Sequence, residues 1–297
     1  MLPAGLCAAI EAAITAAATP FRIGSLAPRA GGCIHEAYLI EGGGERYFLK
    51  TNDAAFAACF AAEVEGLRAL ERAGVRVPRP LCQGSAAGGA FLVMEWLDLR
   101  GRGAGTGWAA MGSMLAALHR VSAPGFGWQR GNYIGATPQP NNEHAAWPDF
   151  WRAERLAPQL ELARRNGLGS RLISSGERLG EAVPKLLAGH QPAPSLLHGD
   201  LWSGNAGFLA DGAPVLYDPA VYFGDREADL AMSELFGGFA PDFRAAYREL
   251  WPLESGYELR ADLYNLYHVL NHANLYGGGY GARARSMIDR LLSQVKR

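Results

Sequence analysis

Lysine is nearly missing from this chain: of its 28 basic residues only Lys50, Lys185 and Lys296 are lysines. Wherever a generic positive charge suffices the sequence uses arginine, so a lysine carries information about a site that wants a compact ammonium. Cysteine is also scarce. Cys7, Cys33, Cys59 and Cys82 are scattered with no Cys-x-x-Cys pair, which excludes a zinc ribbon and a disulfide framework and fits a reducing cytoplasm. No apolar run reaches the eighteen or so residues of a membrane span. No basic run exists either, and with a net charge of −1 neither nucleic acid nor an anionic membrane is expected as a partner. Internal repeats and low-complexity linkers are missing too. What is present is 49% hydrophobic residues over 297 positions, enough core for one large domain or two lobes.

The densest chemistry lies in residues 196–205, Leu-Leu-His-Gly-Asp-Leu-Trp-Ser-Gly-Asn, followed thirteen residues later by Asp218 at the end of an apolar run. An apolar strand delivers His198-x-Asp200, Asn205 follows five residues after the Asp, and a second strand delivers another carboxylate. This spacing is a phosphoryl-transfer layout. Asp200 is placed to accept or orient a substrate hydroxyl, Asn205 to hold Mg²⁺, and Asp218 to hold the metal that bridges the phosphates of ATP. The chemistry needs positioning and charge neutralisation more than a covalent partner, which is why these residue types recur in it.

Earlier in the chain, residues 1–19 are Ala-rich but interrupted by Glu11 and without a basic leader, and predict a helix and not a signal peptide. Residues 21–26, 34–40 and 46–50 read as three strands, with a hairpin turn at 41–45. Gly31, Gly32 and Cys33 lie in the link between the first two, where backbone amides can approach phosphates closely. The third strand ends at Lys50, a point charge suited to α/β-phosphates. Residues 56–73 have helical spacing, and Glu63, nearer the apolar face than Glu65, is the carboxylate expected to pair with Lys50. Strands at 81–83 and 91–94 then run into Glu95, Trp96 and Leu97, a hinge whose backbone would face adenine. His119 reads as a satisfied core residue and Asp229 as a structural carboxylate. The loop 121–148 contains Trp128, Tyr133 and Ile134 and predicts an ordered, packed segment. Residues 147–165 and 171–188 read as helices, and Asp225 as the N-cap of another. A helix at 259–276 aligns His268, Asn271 and His272 on neighbouring positions. That stripe either lines a pocket for a polyhydroxylated ligand or caps core contacts.

Taken together, these segments resemble the fructosamine kinase (ketosamine 3-kinase) family, relatives of aminoglycoside phosphotransferases and choline kinases. The resemblance runs over nearly the whole chain, through Phe48-Leu49-Lys50, Val77-Pro78-Arg79-Pro80, Asp200-Leu201-Trp202-Ser203-Gly204-Asn205, Asp218-Pro219-Ala220, Phe236-Gly237-Gly238-Phe239 and Leu270-Asn271-His272. It implies an α+β, bilobal protein-kinase-like fold: an ATP-binding lobe over 1–95 with an antiparallel sheet plus helix, a hinge at 96–98, and a larger, mainly helical lobe over 99–297. It implies an enzyme that uses ATP and Mg²⁺ to phosphorylate the 3-hydroxyl of a glycated amine, free or on a protein side chain. On this resemblance Lys50 binds phosphates, Glu63 orients it, Asp200 is the base, and Asn205 and Asp218 hold Mg²⁺. Trp202 joins the sugar pocket, with Asn271 and His272 as further substrate candidates. Gly199 stands where protein kinases have Arg, which implies a site not switched by an activation-loop phosphate. Cys33 is a candidate for oxidation that blocks nucleotide binding. The alternatives are a phosphotransferase for another hydroxylated amine, aminoglycoside or choline-like, and a non-catalytic ATP-binding pseudokinase.

Overall fold

The computed structural model describes residues 2–29, 34–99 and 107–295. The chain forms two compact units, one of Met1–Gly107 with Gly204–Pro219, the other of Trp108–Ser203 with Ala220–Arg297. Each is built on a different logic.

The first unit is an antiparallel sheet carrying two helices. Strands β1 (Ser25–Arg29), β2 (Glu36–Gly42), β3 (Glu45–Asp53), β4 (Pro80–Ala86) and β5 (Gly89–Glu95) lie in the order β1-β2-β3-β5-β4. Helix α1 (Ala4–Ala17) covers one face. Its Leu6, Ile10 and Ile14 pack with Phe21, Ile40, Leu49, Phe91 and Val93, so the alternate residues of β3 and β5 that face α1 are Leu49, Phe91 and Val93. Helix α2 (Ala57–Arg72) buries Phe60, Val64, Leu67 and Leu70 of the apolar stripe expected from its spacing, with Glu63 beside them, whereas Phe56, the stripe's first member, is half-buried in the turn before the helix. The first strand departs from its expected position at 21–26. Phe21 N–H donates to Thr15 Oγ1 and Ile23 N–H to Glu11 Oε1, so this stretch is tied to α1, and pairing with β2 begins only at Ser25. The apolar residues that looked like a strand are buried against a helix instead.

Residues Gly204–Pro219 belong to this first unit, although their position in the chain put them with the larger lobe. Ala206–Phe208 pairs with Pro214–Leu216 as a short hairpin. It is held by Leu216 N–H donating to the Arg76 carbonyl at 3.0 Å and by Gly207 and Phe208 lying against Leu99 and Gly107.

The second unit is mainly helical. Helices run over Gly107–His119, Ser170–Leu186, Glu227–Leu235, Pro241–Leu250, Tyr257–Tyr276 and Tyr280–Val295. The expected helix over 147–165 is present but widens into a π-type turn at Trp151–Leu156. Arg155 from that turn is 1% exposed and lies over the rings of Tyr222 at 3.9 Å and Phe150 at 4.6 Å. Its guanidinium donates to Pro140 O and Asn141 Oδ1. Asn141 Nδ2 and Gln139 Nε2 both donate to Asn132 Oδ1, and Tyr267 O–H donates to Gln139 Oε1. The long loop at 121–148 is therefore ordered, with buried amides satisfying one another as interior polar groups must.

Candidate functional site

In the first unit the site is an ion cluster. Lys50 projects from β3 and Glu63 from α2, and Lys50 Nζ donates to Glu63 Oε1 at 2.7 Å and to Asp218 Oδ1. Lys50 and Glu63 side chains are 8% and 9% exposed, whereas Asp218 is 38% exposed. Burial works against the Lys50 ammonium, but the neighbouring Asp218 and Glu63 carboxylates outweigh it and hold the lysine charged above its ordinary range. Glu63 is pushed up by burial and by Asp218, against the pull of Lys50. Glu63 therefore lies where the spacing of α2 put it. Asp218 has φ +56, in the left-handed region, an unfavourable conformation for a residue with a Cβ and one that recurs at functional sites. Tyr217 N–H donates to the Asn205 carbonyl at 3.0 Å, and Asn205 Nδ2 faces the Asp218 carbonyl at 3.5 Å. The Asp218 carboxylate and the Asn205 carboxamide offer the hard oxygen ligands that Mg²⁺ prefers, and Mg²⁺ takes few of them from protein.

The hinge residues are anchored in the same unit. Glu95 N–H donates to the Arg79 carbonyl, and its carboxylate takes Arg76 Nη1 at 2.7 Å and Nη2 at 2.5 Å. This bidentate pair was not legible from spacing. Trp96 stacks on Phe48 at 6.3 Å and has Arg29 over its ring at 5.3 Å. Leu97 follows, its carbonyl accepting Leu99 N–H. Gly31, Gly32 and Cys33 lie outside the described residues.

In the second unit the site is a braced loop. Strand Ser195–Leu197 leads into His198, which is 0% exposed. Asp229, the carboxylate read as structural, accepts His198 N–H at 2.7 Å and Gly199 N–H at 2.9 Å. It is also 3.2 Å from His119 Nε2, and His119 Nδ1 meets Tyr247 Oη at 2.8 Å. Burial would push Asp229 up, but the His119 contact and the backbone donors hold it below the usual carboxylate value. Gly199 has φ +82, and a Cβ there would stand 2.0 Å from the Ala220 carbonyl oxygen. Any side chain is excluded at that position by the backbone of Ala220, which gives the Arg-to-Gly departure a steric cause. Asp200 follows, its N–H capped by His198 Nδ1 at 3.3 Å and its side chain 21% exposed.

His268, read from the sequence as a member of the polar stripe but not as a substrate candidate, lies beside Asp200. Its Nδ1 is 4.0 Å from Asp200 Oδ1 and its side chain is 7% exposed. Burial, helped by His272, pushes it down to about 3, so a neutral imidazole stands beside the carboxylate. The available signal was its position one turn before His272. His272 Nδ1 donates to the His268 carbonyl at 2.8 Å, leaving Nε2 as the ring's acceptor. Asn271 resolves toward the second of its two readings: its Oδ1 accepts Gln159 Nε2 and its Nδ2 donates to the Ile134 carbonyl. Trp202 is half-buried, with its N–H on the Asp200 carbonyl and its ring edge-on to Phe236.

One further group deserves separation from this chemistry. His190, Asp225 and Glu227 come within metal-ligating range of one another, but Arg260 takes both Glu227 oxygens and Tyr264 O–H donates to Asp225. Asp225 also accepts Glu227 N–H. That cluster is a satisfied network at a helix start.

A five-stranded antiparallel sheet presenting a Lys–Glu pair and a mainly helical unit presenting a His-Gly-Asp loop are the parts of an α+β, protein-kinase-like fold. The fructosamine kinase family model matches residues 7–294, and the chain belongs to that family. It is 48% identical over 275 residues to a Synechocystis protein named "Probable ketoamine kinase", covering 92% of both chains. It is 41% identical over 271 residues to the chloroplastic protein-ribulosamine 3-kinase of Oryza sativa, covering 90% of this chain and 78% of that one. A crystal structure from Haemophilus somnus, assigned as a fructosamine-3-kinase, superposes with a TM-score of 0.87 at 28% identity over 95% of this chain and 96% of the other. Among the described residues no helix is long and apolar enough to cross a membrane.

Proposed function

We propose that the chain transfers the γ-phosphoryl group of ATP to the 3-hydroxyl of a ketosamine. The observation that carries the kinase half is Lys50 buried between Glu63 and Asp218, residues 13 and 168 positions away. A buried ammonium between two carboxylates is expensive to build and is what a phosphate-binding lysine requires to be held extended and charged. Membership in the fructosamine kinase family, with a ribulosamine 3-kinase among the relatives, supports the ketosamine half.

On this reading Lys50 binds the α/β-phosphates and Glu63 orients it. The backbone of Glu95 to Leu97 takes the adenine. Asp218 and the Asn205 oxygen would hold Mg²⁺, which would supply neutralisation of phosphate charge. Asp200 aligns the substrate hydroxyl and accepts its proton as the new O–P bond forms and ADP departs. The two N–H groups just before Asp200, those of His198 and Gly199, are tied to Asp229, so the carboxylate is positioned before substrate arrives. Trp202 and His272 border the acceptor, and Asn271 acts from behind by fixing its helix. Once phosphorylated at C3, a ketosamine that enolises between C1 and C2 has phosphate as a leaving group, which opens a route to release of the amine.

The test is ATP consumption by the full chain with Mg²⁺ across ribulosamines, fructosamines, an aminoglycoside and choline, with the phosphorylated position mapped by NMR. Turnover of ketosamines with phosphate on O3 is expected. Turnover confined to an aminoglycoside or choline replaces the substrate class, and ATP binding without transfer to any acceptor makes the chain a pseudokinase.

A further inference from the structure

The Phe236-Gly237-Gly238-Phe239 turn has no part in the phosphoryl transfer derived above, yet it is built with care. Gly237 and Gly238 have φ of +70 and +98. A Cβ on Gly238 would come within 2.5 Å of both Ser203 Cβ and Oγ, so the turn presses against the loop three residues after Asp200 in a way only glycine permits. The result is that Phe236 stands edge-on to Trp202 at 6.3 Å and against the His272 ring at 4.9 Å. His272 in turn lies 5.6 Å from Tyr276 and 5.1 Å from Tyr280. These five rings form a continuous aromatic surface beginning two residues from Asp200. It is not a core: Phe236 is 36% exposed and Tyr276 50% exposed, two of the few large apolar side chains that the described residues leave open to solvent. A contiguous exposed aromatic patch adjoining a site is a recognition feature.

The charge around it is equally informative. Burial, and then the cationic Arg283, hold His272 below its ordinary value, so the ring is neutral and the charged group acting on it is positive. In a ketosamine the amine nitrogen sits on C1, two carbons from the reacting C3. With the 3-hydroxyl at Asp200, that nitrogen and whatever it carries must leave the sugar beside this loop.

We infer that the surface formed by Trp202, Phe236, His272, Tyr276 and Tyr280 receives the amine-side group of the substrate and selects ketosamines whose amine carries an aromatic or extended apolar group. This rests on the ketosamine reading and narrows it. The secondary ammonium common to all ketosamines gains from the indole face of Trp202. Beyond it the rings reward apolar contact, which a carrier ending in a second cation forgoes.

The experiment holds the sugar constant and varies the amine: ribulosamines of methylamine, benzylamine and 1,4-diaminobutane, with kcat/KM measured for each on the full chain. The benzylamine adduct is expected to exceed the methylamine adduct by about ten-fold, the scale of one aromatic contact plus its buried area, and the diamine adduct to fall below benzylamine. In Phe236→Ala, and separately in Tyr276→Ala, the benzylamine-to-methylamine ratio is expected to fall to about three-fold or less, with thermal melts recorded to show that each variant is folded. A ratio near one in the parent, or the parent ratio retained in both variants, overturns the inference while leaving the ketosamine reading intact. Failure of all three ribulosamines as substrates overturns that reading, and this inference with it.

Discussion

The two units solve opposite electrostatic problems. Around Lys50 the chain concentrates charge, one ammonium and two carboxylates in a mostly buried cluster. Around Asp200 it does the reverse: the neighbouring imidazole of His268 is kept neutral, the loop is fixed through backbone N–H groups, and aromatic rings follow. On the proposed reading the Lys50 half needs fixed charge because its ligand is a polyanion, and the Asp200 half aims one carboxylate at a neutral acceptor, an alcohol on a sugar. ATP would then be held by ion pairs, and acceptors told apart by shape and apolar area.

That contrast can be broken most severely at Asp200. Asp200→Asn keeps the loop's shape and removes its base, and kcat is expected to fall about 10²- to 10⁴-fold with nucleotide affinity nearly unchanged. Steady-state kinetics with a nucleotide-binding titration decide it, and near-normal turnover would falsify the role. Next comes Gly199→Ala. The new methyl group meets the Ala220 carbonyl at a positive φ, and a stability loss of about 3 kcal/mol or more is expected from strain and clash, read from chemical denaturation. In the charged half, Glu63→Gln leaves Lys50 with Asp218 alone. A loss of about 2–3 kcal/mol is expected from breaking a buried charged hydrogen bond, together with a raised KM for ATP and an unchanged KM for the acceptor. A raised acceptor KM instead would contradict the division of labour.

The smallest effect is a pH dependence in the acceptor half. His268 has a folded value of about 3, below the ordinary 6.5, so the unfolded chain takes up a proton that the folded one refuses. Stability from this residue is complete above about pH 6.5 and falls as pH falls through the window down to about 3. Between pH 7 and pH 5 the parent is expected to lose about 2 kcal/mol that His268→Asn does not. Urea unfolding at the two pH values measures it, and parallel losses in both proteins would show the imidazole to be protonated in the fold.

How much was legible beforehand follows the same division. Lys50 stood out because lysine is so rare here, Glu63 because it borders the apolar stripe of α2, and the 198–205 loop because its spacing is dictated by chemistry. His268 was legible only as a member of a polar stripe, since a histidine on an apolar helix reads the same whether it faces a carboxylate or fills the core. Asn271 was undecidable for the same reason, and its partners Gln159 and Ile134 are remote in sequence. Residues 21–26 were misread because β-compatible apolar residues serve equally well against a helix.

By itself the sequence determined which residue types stand at which spacing: the His-Gly-Asp loop, its Asn, the later Asp, the lone early lysine and the periodic faces of sheet and helix. These are local or chemically forced, so they survive as pattern. Only the tertiary structure decided that Gly204–Pro219 joins the first unit, that Asp229 and His119 brace the loop, that Gly199 has no room for a side chain, and that a glycine turn brings Phe236 to Trp202. Each of those depends on contacts between residues far apart in the chain, where hydrogen-bond satisfaction and close packing select the partner, and no spacing rule encodes the outcome.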